Sequence, residues 1–164
     1  MPIVQVSLFD NEDLDRHYCM GEALQSLRDE GVLIVGAGMA VHNLQDYRKS
    51  RGLGENMPCV LPVDYNAIAI ILNRIGLTPC SYSSTFDDAL KDAATSNPEE
   101  RKEKMMELLE RSDGRQAHPT LDHILPMYIV AGAAGESSGK QLWTMPEISL
   151  SWAQYRFGEL SSTA

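Results

Sequence analysis

The sequence is short of cysteine, of basic residues and of long apolar runs, and each shortage removes a class of protein. Three of its 164 residues are cysteine, Cys19, Cys59 and Cys80, and no two of them share CxxC spacing. So sparse and odd a count rules out a disulfide scaffold and suits a reducing compartment with idle or buried thiols. Fourteen Lys and Arg stand against 23 Asp and Glu, a formal charge of −9. Nucleic acids and anionic membrane surfaces are met by clustered basic side chains, so neither is an expected partner. The acidic excess is read as a solubility device. No apolar run approaches the ~20 residues of a membrane helix, and no basic n-region opens the chain, so a soluble cytoplasmic protein is expected. There is also no G-x-S-x-G elbow and no P-loop.

What is there has the composition of a globular protein: 43% hydrophobic, 23% charged and 7% aromatic residues. The length suits a single domain, residues 1–164. Residues 3–8, IVQVSL, form a β-branched run that predicts a buried strand. Residues 14–30 carry Leu14, Tyr18, Gly21, Leu24 and Leu27 on one helical stripe, with Asp13 as N-cap and Gly31 as terminator. A second apolar run, VLIVGAG at 32–38, completes a strand–helix–strand unit and predicts two parallel strands. Further on, 48–56 and 76–85 read as loops, with a buried helix from about Tyr65 between them. Helices are predicted over 86–95, 98–111 and 121–132, with Asn97 and Thr120 as caps and Pro98 at the first helical position. The charge run 99–104 reads as a solvated face, and 140–157 as short strands. The fold class is therefore α/β, a three-layer sandwich with a mostly parallel central sheet.

The chemistry centres on four histidines, at 17, 42, 118 and 123. His42 follows the turn VLIVGAGMAV at the carboxyl end of a predicted parallel strand, where open α/β sheets place ligands. An imidazole there can move protons near neutrality. The turn Gly36-Ala37-Gly38 lacks the third glycine of a dinucleotide fingerprint, Val41 standing in its place. His118 and His123 are five residues apart around a helix start. Imidazoles suit Fe(II) or Zn(II), but this spacing decides neither for nor against a metal. Cys19 and the eight methionines read as packing residues.

Three segments together carry a resemblance: HYCMGEALQSLRDEGVLIVGAGMAVHNL over 17–44, HPTLDHILPMYIVAGAAGE over 118–136 and ISLSWAQYRFG over 148–158. They are similar to the class III extradiol ring-cleavage dioxygenases, in the branch of DOPA 4,5-dioxygenase-like proteins. The resemblance runs over nearly the whole chain, with an expanded loop at 51–84. It implies a non-haem Fe(II) enzyme that binds a catechol and O2 and opens the ring beside the diol, giving a muconic semialdehyde. Zn(II) is admissible in the same site. His42 then matches the acid/base histidine and His123 the third metal ligand. His118 matches a pocket-lining, substrate-binding residue, with the ligand role as its alternative. His17 matches a position often occupied by histidine, and is read as a structural helix residue.

The resemblance also implies a shortfall. Members of the family carry two further histidine ligands, and another catalytic histidine, ahead of the strand IVQVSL at which this chain starts. Three arrangements follow: the C-terminal part of a dioxygenase, a catalytically inactive relative serving as a binding or interaction module, or a site rebuilt across a homodimer. A facial iron site needs three anchored ligands, so the isolated chain is expected to be inactive or slow.

Overall fold

The computed structural model describes residues 2–50 and 80–159. The buried helix expected from about Tyr65 and most of the expected loop at 48–56 lie outside them. Helix α1 spans Leu14–Leu24, its Asp13 cap accepting the Arg16 amide at 2.9 Å. It tightens into a 3-10 turn at Gln25–Arg28, and Gly31 turns the chain with φ +81°. The predicted stripe survives: Tyr18 and Gly21 are buried, and Leu14, Leu24 and Leu27 are half-buried.

After the short strand β1 (Val41–His42) come α2 (Leu44–Ser50), α3 (Ser81–Ala94), α4 (Pro98–Glu107), the one-turn α5 (Gly114–Ala117) and α6 (Leu125–Ala133). Strands β2 (Gly139–Trp143), β3 (Pro146–Glu147), β4 (Leu150–Ser151) and β5 (Gln154–Phe157) follow. Helix α3 starts within the stretch expected as loop, because Tyr82, Phe86 and Leu90 recur at helical spacing and all are buried. Helix α6 starts at Leu125 with Ile124 in the cap position, so Thr120 is not its cap. Thr120 instead donates to Asp122 at 2.6 Å.

The fold is a mixture of helix and strand, consistent with the α/β class. Its ladders among the described residues are antiparallel, in the order β1-β4-β3 and separately β2-β5. The two apolar runs depart from expectation. Neither 3–8 nor 32–38 is in a ladder, and Ile3, Val4, Leu33 and Val35 are 86%, 85%, 69% and 74% exposed. A continuous β-branched run signals a strand covered on both faces. Here no neighbouring strand among the described residues covers either run, so the expectation of buried parallel strands is not met among them.

The core lies instead between helices. Phe86 and Leu90 of α3, Met105 of α4, Leu121, Ile124 and Tyr128 are all essentially inaccessible, and the Tyr128 hydroxyl donates to the Met105 carbonyl at 2.7 Å. Helices α1 and α6 make the closest helix pair, because Gly21 and Gly132 let the backbones touch. A Cβ at either would strike the other helix's main chain, at the Ile129 or the Tyr18 carbonyl. Among the described residues no helix is long and apolar enough to cross a membrane.

The charge run at 99–104 hides one exception to a solvated face. Arg101 is fully buried, donating to the Gly135 carbonyl at 3.1 Å and the Ser137 carbonyl at 2.7 Å. Arg28 reaches the same turn, donating to the Ala133 and Ala134 carbonyls at 3.0 and 2.7 Å. The last carbonyls of a helix lack intrahelical partners and carry partial negative charge. Arg28 satisfies those at the end of α6, and Arg101 satisfies carbonyls of the turn that follows it. Arg101→Leu should therefore lower stability by about 2–3 kcal/mol, the cost of stranding carbonyls that bonded a charged donor. That corresponds to a melting temperature lower by roughly 5–10 °C, read by circular dichroism.

Candidate functional site

The site is built where residues 36–43 cross the start of α6. Gly36 and Gly38 lie directly on that helix's N-terminal backbone. A Cβ at Gly36 would come within 2.6 Å of the Pro126 carbonyl oxygen, and one at Gly38 would overlap the His123 carbonyl oxygen. The Met39 amide donates to that same His123 carbonyl at 2.9 Å. The glycines of this turn thus serve close packing, which agrees with the incomplete dinucleotide fingerprint.

From there β1 carries His42 alongside β4, with Val41 opposite Ser151 and His42 opposite Leu150. Asn43 ends the strand. Its amide donates to the Ser149 carbonyl at 3.1 Å, and its side chain donates to the Gln116 carbonyl at 2.8 Å. The Asn43 side-chain oxygen also accepts the Asp46 amide at 3.0 Å, starting α2.

This crossing brings His42 and His123 together. Their rings stack with centroids 3.6 Å apart and planes 10° from parallel. The Nδ1 of His123 lies 2.8 Å from a carboxylate oxygen of Asp122. The contact is at ion-pair distance without hydrogen-bond geometry, and this Nδ1 has no hydrogen-bond partner. Asp122 did not stand out in the sequence, although its place beside His123 in Leu-Asp-His was the available signal. Burial holds the His42 pKa below the ordinary imidazole value, and the neighbouring His123 adds to the effect while Asp122 opposes it. His42 is thus kept as a neutral imidazole, the form that accepts a proton. A groove of about 530 Å³ runs beside His123, with Met127 and residues 33–40 in its wall and Arg28 and Arg156 also lining it; His42 does not line it.

His118 sits within electrostatic reach of both rings but is fully buried. It faces the Ala40 carbonyl through Nε2 at 2.8 Å, and the edge of Phe86 meets its ring at 5.3 Å and 61°. Its Nδ1 is buried with no hydrogen-bond partner. His17 lies apart, in α1, also fully buried. Its Nδ1 faces the Asp13 carbonyl at 2.6 Å and its Nε2 accepts the Phe9 amide at 3.2 Å. Both nitrogens are used within the fold, the structural role expected of it. Cys19 is exposed and Cys80 partly buried, both free thiols.

The fold is a mixed helix–strand domain with two stacked imidazoles, one of them beside a carboxylate. The chain belongs to the family of the catalytic LigB subunit of aromatic ring-opening dioxygenases, which it matches over residues 1–157. It is 32% identical over 142 residues to the 4,5-DOPA dioxygenase extradiol of Beta vulgaris, covering 87% of this chain and 43% of that protein. The 4,5-DOPA dioxygenase extradiol of Escherichia coli K12 is 26% identical over 133 residues, 81% of this chain and 40% of that one. Dioxygenase tasH of Hapsidospora irregularis is 29% identical over 161 residues, 96% and 44% respectively. These bear out the resemblance to the DOPA dioxygenase-like branch. The fold is similar to the crystal structure of the uncharacterized protein JW3007 from Escherichia coli K12, with a TM-score of 0.58 and 24% identity over 87% of this chain and 50% of that one. The chain spans about half the length of the curated relatives it matches.

Dioxygenases of this family are metal-dependent, and the donor set present falls short of what a metal needs. Among the described residues no three His, Cys, Asp or Glu side chains converge on one point. The nitrogen lone pairs of two stacked imidazoles lie in parallel planes and do not converge on one ion. His123 offers one donor where a facial site takes three, so these residues do not build a metal centre on their own.

The burial of His118 has a measurable consequence. Its pKa falls from the ordinary 6.5 to about 4, chiefly because burial disfavours the cation, with the Ala40 hydrogen bond opposing. Between pH 6.5 and 4 the unfolded chain gains a proton there that the folded chain refuses. Stability is thus full above this window and is lost as pH falls through it. His118→Gln should flatten that slope in urea titrations run at a series of pH values, removing an acid loss on the order of 3 kcal/mol.

Proposed function

We propose that this chain is the portion of a non-haem iron extradiol dioxygenase that carries its acid/base histidine and one of its metal-ligand histidines. The reaction is 4,5-type cleavage of a catechol such as DOPA with O2. The reading is carried by one observation: His42 and His123 stack at 3.6 Å with Asp122 on the far nitrogen, in a chain of a ring-opening dioxygenase family. His42, neutral and half-buried, accepts a proton from a catechol hydroxyl presented to it and returns it to the opened product. His118 backs the pocket from behind these rings. The cofactor is Fe(II), with Zn(II) as the substitute, and the described residues alone do not supply the donors to hold it.

The same reading gives the exposed runs at 3–8 and 32–38 a place. They are parallel strands of a three-layer sandwich whose neighbours belong to the part of the relatives that this chain does not match. Their apolar exposure supports this.

A second reading keeps the fold and drops the chemistry, making the chain an inactive relative that binds a partner, a second copy included. It is favoured by the shortage of ligands among the described residues, where His123 is one of the three that a facial site takes. Two proteins separate the readings in oxygen-uptake assays with Fe(II), ascorbate and a catechol panel, watched for the yellow semialdehyde. The 164-residue chain alone should turn over slowly or not at all. A chimera in which it replaces the matching part of the Beta vulgaris enzyme should be active. His42→Ala in that chimera should lower kcat about 100-fold or more, the usual worth of a general acid/base, and His123→Ala should abolish turnover. A folded but inert chimera would favour the binding module.

A further inference from the structure

We infer that His118 is a positioning residue, whose hydrogen bond to the Ala40 carbonyl sets His42 against His123; its catalytic consequence rests on the function proposed above. Residues 39–43 are tied to residues 116–123 at three points. The Met39 amide meets the His123 carbonyl at 2.9 Å, His118 Nε2 meets the Ala40 carbonyl at 2.8 Å, and the Asn43 side chain meets the Gln116 carbonyl at 2.8 Å. His42 lies between the second and third ties and His123 at the first. The ring separation of 3.6 Å is therefore the outcome of how these two segments are clamped.

Of the three, the His118 bond is the one made by a dry side chain. A carbonyl oxygen can only accept, so Nε2 carries the proton and Nδ1 is bare. The edge contact with Phe86 fixes the ring plane, and Ala40 is itself buried. Without the donor, a buried carbonyl two residues before His42 is left unpaired. The strand must then shift toward another donor or toward water, because an unmet buried carbonyl costs more than a small displacement. His42 moves with it. A substrate contact for His118 is not needed to explain its burial, its tautomer or its partner.

The test uses the full chain with its histidines labelled in the ring with nitrogen-15. Four histidines give four resolvable imidazole systems. The wild type should show His118 as the Nε2–H tautomer with a slowly exchanging ring proton, and a ring-to-ring nuclear Overhauser signal between His42 and His123. His118→Gln keeps a donor within reach of Ala40 and should retain that signal. His118→Leu fills the volume without a donor and should abolish it, while amide signals of α4 and the C-terminal half of α6 stay in place. Should the Leu variant not fold, His118→Asn decides in the same way, its amide being one methylene too short to reach Ala40. An Nδ1–H tautomer in the wild type, or a His42–His123 signal that persists in the donorless variants, overturns the inference. The ring-to-ring signal does not depend on turnover. If the chimera were inert while the signal vanished in His118→Leu and survived in His118→Gln, the ring-opening reading would sink and the positioning role would stand.

Discussion

The contact on which the rest depends is the landing of residues 36–39 on the first turn of α6. There is room for it only because Gly36 and Gly38 present no side chain to the Pro126 and His123 carbonyls. Once it forms, the Met39 amide caps the His123 carbonyl, β1 is delivered to β4, and two histidines 81 positions apart in sequence become a stacked pair. Helix α6 serves as the datum for both ends of the domain. Its start lies beside the histidine pair, its last carbonyl takes Arg28, and the turn after it takes Arg101. Its middle and last turn meet α1, at Ile129 and Gly132. A displacement of α6 would be felt at every described feature of the site.

Local signals in the sequence were legible where the physics is local. The Asp13 cap, the stripe on α1, the Pro98 start of α4 and the short strands of the tail depend on residues a few positions apart. That His42 and His123 come together was legible too, although it rested on resemblance more than on spacing. What could not be read was decided by distant partners. Arg101 looks like any surface arginine in a charged helix until the carbonyls at 135 and 137 are placed over it. His118 looks like a pocket residue until Ala40, 78 positions earlier, takes its ring proton. The runs at 3–8 and 32–38 look buried because apolar content reports what a segment prefers, and a strand also needs neighbours.

The family and the donor count together sharpen what this chain contributes. Among the described residues two imidazoles stack, and no three ligand side chains converge on one point. The three imidazoles at this crossing differ in surroundings: His42 is half-buried with its pKa held down, His123 lies at ion-pair distance from Asp122, and His118 is sealed in the core. Such differences separate roles among chemically identical side chains.

The packing of the Gly36-Ala37-Gly38 turn also says how this stretch can vary. All three residues of the turn are exposed, but a side chain at 36 or 38 would run into backbone at the start of α6. Substitutions in a saturation library should therefore follow a two-residue rhythm, with broad acceptance at 37 and near-exclusion of anything but glycine at 36 and 38. A pattern of that kind resembles the glycine signature of a phosphate-binding loop. It arises here from two backbones in contact, so a Gly-x-Gly turn at the end of an apolar run can record a helix crossing as readily as a nucleotide.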